Sequence, residues 1–369
     1  MNIFKDNRIV LSLDAGGTNL VFSAMQYGKL IGKEISIPAA VNILDDFLVK
    51  ITEGFNLVKK MAGGAHAISF AFPGPADYPN GIIGDLENLP VFKGGVALGA
   101  FLEAKFKIPV FINNDGDLFT LGEALGGFLP FINSELQKEA SNKRYENLIG
   151  VTFGTGFGGG LVRKNKLIGG DNSAAGEINR MGNPLYPEAS AEESVSIRAI
   201  KRVYAREAKI TNNIPNPYEI FLIATGEKNG NKQAAIISFK ELAIVAANAI
   251  ANTISLFDGL VVIGGGLSGA HSIILPTLVH ELNRRMATLD GKSIQRMEVF
   301  AYNSHNPECL KDFLSNSSIE ITIPTTDKKI NYEAIKKIAV GISKLGTSGA
   351  VALGAYAFAL QQLDEINKD

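Results

Sequence analysis

Asp14-Ala15-Gly16-Gly17-Thr18-Asn19 follows the apolar run Ile9-Val10-Leu11-Ser12-Leu13, and Gly154-Thr155-Gly156-Phe157-Gly158-Gly159-Gly160 follows a second strand-like run that begins near residue 148. A single glycine cluster signals no more than a tight turn, because glycine reaches backbone angles that other residues avoid. Two clusters, each with a threonine beside its glycines, point to backbone N–H groups and hydroxyls gripping one polyphosphate from two sides. Strand-like sequence resumes after each loop, at 20–26 and 30–37 in the first case and at Leu161-Val162 with a turn at Lys164-Asn165 in the second. Each loop therefore joins antiparallel strands. Neither a Walker P-loop nor a dinucleotide fingerprint is met, since both lead from glycines into a helix. Repetition of apolar run, glycine loop, apolar run and short turn is an internal duplication of topology.

Length and charge bound the rest. At 369 residues the chain exceeds what one core usually organises, so two domains with a cleft between them are expected. With 36 basic against 37 acidic residues there is no basic excess to draw it to nucleic acid or anionic lipid. Cys309, the one cysteine, excludes an intrachain disulfide framework and a cysteine-cluster zinc site, which fits a reducing cytoplasm. The polar start, Met1 to Arg8, runs straight into the first strand and is too short for a signal sequence, and no other segment is expected to cross a bilayer.

Between the loops, periodicity predicts a helix over 43–61, a strand Ala65–Phe72 leading into Pro73-Gly74-Pro75, a helix over 96–105, a strand over 108–114 and a helix over 116–126. Beyond the second loop it predicts helices over 191–208, 217–228 and 232–256, then the strand Leu260-Val261-Val262-Ile263 and the turn Gly264-Gly265-Gly266. A last helix, about 347–361, is rich in alanine and glycine and reads as built for close packing. Residues 128–147 and 302–331 read as polar surface excursions, with a lid or an oligomer contact as the other possibility.

Asn113-Asn114-Asp115 lies where the strand 108–114 gives way to a helix, the end of a strand at which α/β proteins place ligands. A helix cap accounts equally well for Asn and Asp there. Between two phosphate loops, however, an aspartate at a cleft has the chemistry of a general base.

The pattern resembles the ROK family of sugar kinases and sugar-responsive repressors, over nearly the whole chain. Asp14 to Asn19 and Gly154 to Gly160 are similar to its two phosphate motifs, and Phe72-Pro73-Gly74-Pro75 with Asn80-Gly81-Ile82-Ile83 to its substrate-domain signature. Asn88-Leu89-Pro90 resembles the segment that reaches the sugar, Asn114-Asp115 with Leu121-Gly122-Glu123 the catalytic motif, Gly176-Glu177-Ile178 a sugar-binding segment, and Val262 to Ser268 the adenosine motif. The resemblance implies an α/β, two-lobed actin-like ATPase (ribonuclease H-like) fold with duplicated strand-helix topology. The smaller lobe would be 1–114, completed by the C-terminal helix about 347–369, and the larger 115–346. It also implies a homodimer.

The implied activity is ATP-dependent phosphorylation of a hexose hydroxyl. Asp14, Gly16, Gly17, Thr18, Asn19, Gly154, Thr155, Gly156 and Gly158 would hold the phosphates, with Asp14 on Mg²⁺ through water. Gly264, Gly265, Gly266 and Ser268 would meet adenosine. Asn88, Asn114, Asp115, Glu177, Arg180 and Glu192 would meet the sugar, with Asp115 as base. Glu192, four residues before Ser196, has Glu193 as its alternative register. Two departures stand out: Arg180 occupies the family's histidine position, and Met181 to Ser190 lacks the family's cysteines, so no zinc is expected. Arg180 would either read a substrate group or staple its loop by a salt bridge to Glu177 or Glu188. A catalytically weak sugar-binding regulator of the same family is the alternative function. A family repressor is disfavoured, because the first loop starts at Asp14 and leaves no room for a helix-turn-helix.

Overall fold

The computed structural model describes residues 2–15, 19–41, 43–74, 76–84 and 90–368, without the Pro90 side chain. Gly16, Gly17, Thr18 and Asn88 of the expected site lie outside the described residues, as do Pro75 and Leu89. The chain divides into two compact units, Met1–Gly127 with Gly160–Gly176 and Leu345–Asp369, and Phe128–Gly159 with Glu177–Lys344. The helix that follows Asn114 thus belongs with the first unit, whereas the expected lobe boundary runs before it.

In the first unit, Val10–Ala15 pairs antiparallel with Asn19–Gln26, in a register that sets Leu13 opposite Phe22 and Ala15 opposite Leu20. Sheet order is Lys29–Leu30, Asn19–Gln26, Val10–Ala15, Ala67–Ala71, Val110–Asn113, with the last three strands parallel. Helix Leu44–Ala62 buries Phe47, Ile51, Phe55 and Val58, one stripe at helical spacing, against this sheet. The core is aromatic: Phe22 meets Phe55 edge-on at 5.1 Å, and Phe92 lies 5.3 Å from Phe47 and 5.2 Å from Phe72.

The C-terminal helix Thr347–Ile366 packs on the helix Asp115–Gly126, as its small residues suggest. A Cβ at Gly122 would overlap the Ala350 carbonyl, and one at Gly354 the Leu118 carbonyl, so these helices touch backbone to backbone. Buried Glu123 accepts from the Leu345 N–H at 3.0 Å and anchors the approach to the last helix.

The second unit holds the parallel strands Asn147–Phe153, Leu260–Gly264, Lys337–Ile342 and Phe300–Asn303, in that order. The strand Phe157–Arg163 follows the second glycine loop, starts in this unit and ends in the first. It turns antiparallel into Lys166–Leu167, repeating the opening hairpin of the chain.

Three expectations need correction. Residues 128–147 are not a plain loop extension: Phe128–Lys138 is a helix that buries Phe128, Leu129, Ile132 and Leu136, with its polar residues Asn133, Ser134, Glu135, Gln137 and Lys138 gathered in its second half. Residues 302–331 hold the end of the strand Phe300–Asn303, a helix Pro307–Leu314 capped by Asn306, and most of a ribbon Ser318–Thr322 paired with Lys329–Glu333. The helix Lys232–Phe257 is long and apolar enough to cross a bilayer, contrary to the sequence reading, but its most apolar window is 67% buried inside the protein. Its run of alanines is the face of a core helix packed on both sides.

Candidate active site

Asp115 is the first residue of its helix, and Asn114 is the cap: the Asn114 Oδ1 accepts from the Gly116 N–H at 2.7 Å, while Asn113 Oδ1 accepts from the Asn114 N–H at 2.8 Å. The capping alternative is therefore realised by Asn114, and the Asp115 side chain is not needed for it. The Asp115 carboxylate opens to solvent, yet protein crowds around it, and that desolvation raises its pKa above the ordinary 3.8 against the opposing pull of the Gly116 N–H at 2.9 Å. A carboxyl at the end of a parallel strand, with a raised pKa and no ion pair among the described residues, suits proton abstraction.

The first phosphate loop is flanked by Asp14 and Asn19, both exposed at the strand ends of the opening hairpin. The second is braced: the Gly154 N–H donates to Gly156 O at 3.0 Å, and Gly154 O accepts from Ile197 N–H at 2.8 Å. The Phe157 N–H donates to Glu192 Oε2 at 3.1 Å. That leaves the amides of Thr155 and Gly156, with the exposed Thr155 hydroxyl, without partners among the described residues and available to an anion. Gly158 lies within the strand. Gly160 is glycine for packing, since a Cβ there would stand 2.5 Å from Thr120 Oγ1 and 2.6 Å from Gly116 O.

Gly264 ends its strand, and Gly265 turns the chain at φ +83°, where a Cβ would stand 2.6 Å from the Phe153 backbone N. Beyond it lies a pocket of about 140 Å³ whose lining includes Pro217, Tyr218, Phe221, Phe239, Gly266 and Leu267. Of the four residues expected at adenosine, Gly266 lines this pocket, and Gly264, Gly265 and Ser268 shape the turn beside it. The aromatic wall is absent from the motif reading. Its sequence signal is the pair Tyr218 and Phe221, one helical turn apart behind an Asn216 capping box, with Tyr218 68% exposed.

Glu177 and Arg180 are both exposed; Glu177 precedes the short turn Ile178–Arg180 and Arg180 ends it. The salt bridge considered for Arg180 does not form: among the described residues its guanidinium pairs with neither Glu177 nor Glu188. The loop is stapled by Asn183 instead, a residue only 2% exposed. Its Nδ2 donates to Ser194 Oγ at 2.8 Å and Ser190 O at 3.2 Å, and its Oδ1 accepts from the N–H groups of Leu185 and Tyr186 at 3.0 and 3.2 Å. Among the described residues no three His, Cys, Asp or Glu side chains come together as a metal site. Asn183→Ala would remove four hydrogen bonds at once and leave the buried Ser194 hydroxyl without this partner, a loss of about 1–3 kcal/mol for a buried group alone. A loss of about 2 kcal/mol or more in urea unfolding is the expected result; a variant within 0.5 kcal/mol of the parent, roughly the range of surface substitutions, would show that the staple carries no strain of the loop.

Glu192 and Glu193 share the Arg198 guanidinium, which lies 3.3 Å from Glu192 Oε1. Glu193 is held by Arg198 at 2.6 Å and Arg202 at 3.4 Å, and the Arg198 guanidinium keeps its carboxyl below the usual range. Glu192 turns to the second glycine loop.

The sequence model of the ROK family matches residues 10–308. The chain is 33% identical to the N-acetyl-D-glucosamine kinase of Vibrio cholerae over 177 residues, an alignment that spans 47% of this chain and only 52% of that relative. It is 29% identical to the N-acetyl-D-glucosamine kinase of Photobacterium profundum over 74% of this chain and 88% of that one. The crystal structure of a glucokinase from Parabacteroides distasonis superposes with a TM-score of 0.87 at 50% identity, covering 98% of this chain and 99% of its own.

Proposed function

This chain belongs to the ROK family, with the duplicated α/β topology of the actin-like ATPase fold, and we propose that it is an ATP-dependent kinase of a hexose or N-acetylhexosamine. The observation that carries the reading is Asp115: a desolvated, solvent-reachable carboxylate at a strand end, freed from capping by Asn114. Three features support nucleotide binding. Asp14 offers an exposed carboxylate for a hydrated magnesium ion, Thr155 and Gly156 offer unspent amides, and the aromatic pocket at Gly266 fits a base. Mg-ATP, when bound, supplies the transferable phosphoryl group and the charge neutralisation that this chemistry requires.

In this reading Asn114, Glu177 and Glu192 accept and orient sugar hydroxyls, with Asn88 and Arg180 as further contacts. Asp115 takes the proton of the attacking hydroxyl as its oxygen bonds to phosphorus and the bond to the leaving ADP oxygen breaks. Thr155 and Gly156 hold the phosphates in line, so positioning supplies much of the rate. A homodimer belongs to the same reading. Glucose and N-acetylglucosamine are the first substrates to test, being those of the relatives' names. Sugar-dependent ADP release with Mg-ATP is the expected result for at least one of them; sugar binding with no ADP release would replace the kinase with a sugar-binding regulator.

A further inference from the structure

A carboxylate on a phosphate-gripping loop opposes the anion the loop is shaped to hold, so the position of Glu192 calls for a cause. Its Oε2 accepts the Phe157 N–H at 3.1 Å, and its Oε1 meets Arg198 at 3.3 Å. Arg198 lies closer to Glu193, at 2.6 Å, so it neutralises Glu192 only in part. The contact is built in sterically as well: a Cβ on Gly156 would stand 2.5 Å from Glu192 Oε2 and push the carboxylate off the loop. Five residues further on, the Ile197 N–H holds Gly154 O at 2.8 Å, so the segment 192–197 grips the loop at both ends. Asn183, through Ser194, fixes the same segment from behind.

We infer that Glu192 is a positioning residue that couples sugar occupancy to the second glycine loop, so that sugar and nucleotide each bind more tightly when the other is present. The inference rests on the sugar-kinase reading. A hydroxyl donated to Glu192 spreads its negative charge and fixes the rotamer that holds the Phe157 N–H. The loop is then preorganised and less repulsive toward phosphate. An empty sugar site leaves the carboxylate's charge unshared and its rotamer freer, and the loop a poorer anion site. Linkage requires the effect to be reciprocal.

The test is calorimetric titration of the full chain with AMP-PNP and Mg²⁺, with and without saturating glucose or N-acetylglucosamine. Sugar is expected to tighten AMP-PNP binding by about tenfold, and AMP-PNP to tighten sugar binding by the same factor. In Glu192→Gln, AMP-PNP alone should bind at least as tightly as in the parent, because a repulsive charge is gone, and the sugar effect should fall to a ratio near one. Gly156→Ala, whose backbone is not left-handed, should lose the coupling in the same way with the carboxylate still present. If Glu192→Gln binds sugar too weakly to saturate, the Gly156→Ala ratio decides. Coupling that survives in the folded variants overturns the inference. So does a parent ratio of one, which leaves the kinase reading standing when both ligands bind; failure of either ligand to bind overturns both.

Discussion

Asp115→Asn is expected to lower kcat by roughly 10²–10⁴-fold and to leave the sugar KM within a few-fold of the parent, because the amide keeps size and polarity but cannot take a proton. The fold should tolerate it. The helix is capped by Asn114, so the Asp115 side chain contributes no capping bond beyond a contact to its own neighbour's N–H. The pH profile gives a second readout. Desolvation holds the Asp115 pKa above 3.8, so the carboxyl keeps its proton at a pH where an ordinary aspartate is ionised. Only the carboxylate accepts the hydroxyl proton, so kcat/KM should fall on acidification at a higher pH than for an unperturbed aspartate. A parent profile flat through the carboxylate range and above it, or a variant with near-parent kcat, would remove Asp115 from the chemistry.

Gly354→Val is expected to cost about 3 kcal/mol or more, enough to leave much of the protein unfolded or insoluble. A helix interior favours most side chains over glycine by up to about 1 kcal/mol, so propensity alone predicts stabilisation. Packing overrides it here, since any Cβ at this position overlaps the Leu118 carbonyl, and moving it aside means separating two helices that touch along their backbones. Gly349, on the same helix, is the control: its nearest neighbour would be Leu345 Cβ at 3.9 Å, an ordinary contact. Gly349→Ala should therefore be neutral or slightly stabilising. Equal melting temperatures for both variants would show that the helix pair does not pack as described.

The duplicated hairpins are legible in the amino-acid sequence because a glycine loop between two apolar runs admits few other readings, and the C-terminal helix because alanine and glycine at helical spacing imply close approach. The helix Phe128–Lys138 is not, because its polar residues gather in its second half and run on into the polar stretch 139–144, which masks the buried stripe. At the site, the divide follows sequence distance. Asp115 stands out through a local motif at the end of a strand. The brace of Glu192 on Phe157, 35 residues apart, and the meeting of Tyr218 and Phe221 with Gly266 exist only through tertiary packing. Arg180 suggests a salt bridge from its charge and that of its neighbours, yet the loop is held by Asn183, whose worth lies in burial and so leaves no mark in local sequence.

The most direct test of phosphoryl transfer follows the terminal phosphate itself, with ATP labelled in that group, Mg²⁺ and either glucose or N-acetylglucosamine. Label appearing in a sugar phosphate, one equivalent per ADP formed, is the predicted result. Label released only as inorganic phosphate, or retained in ATP with every sugar offered, would contradict it.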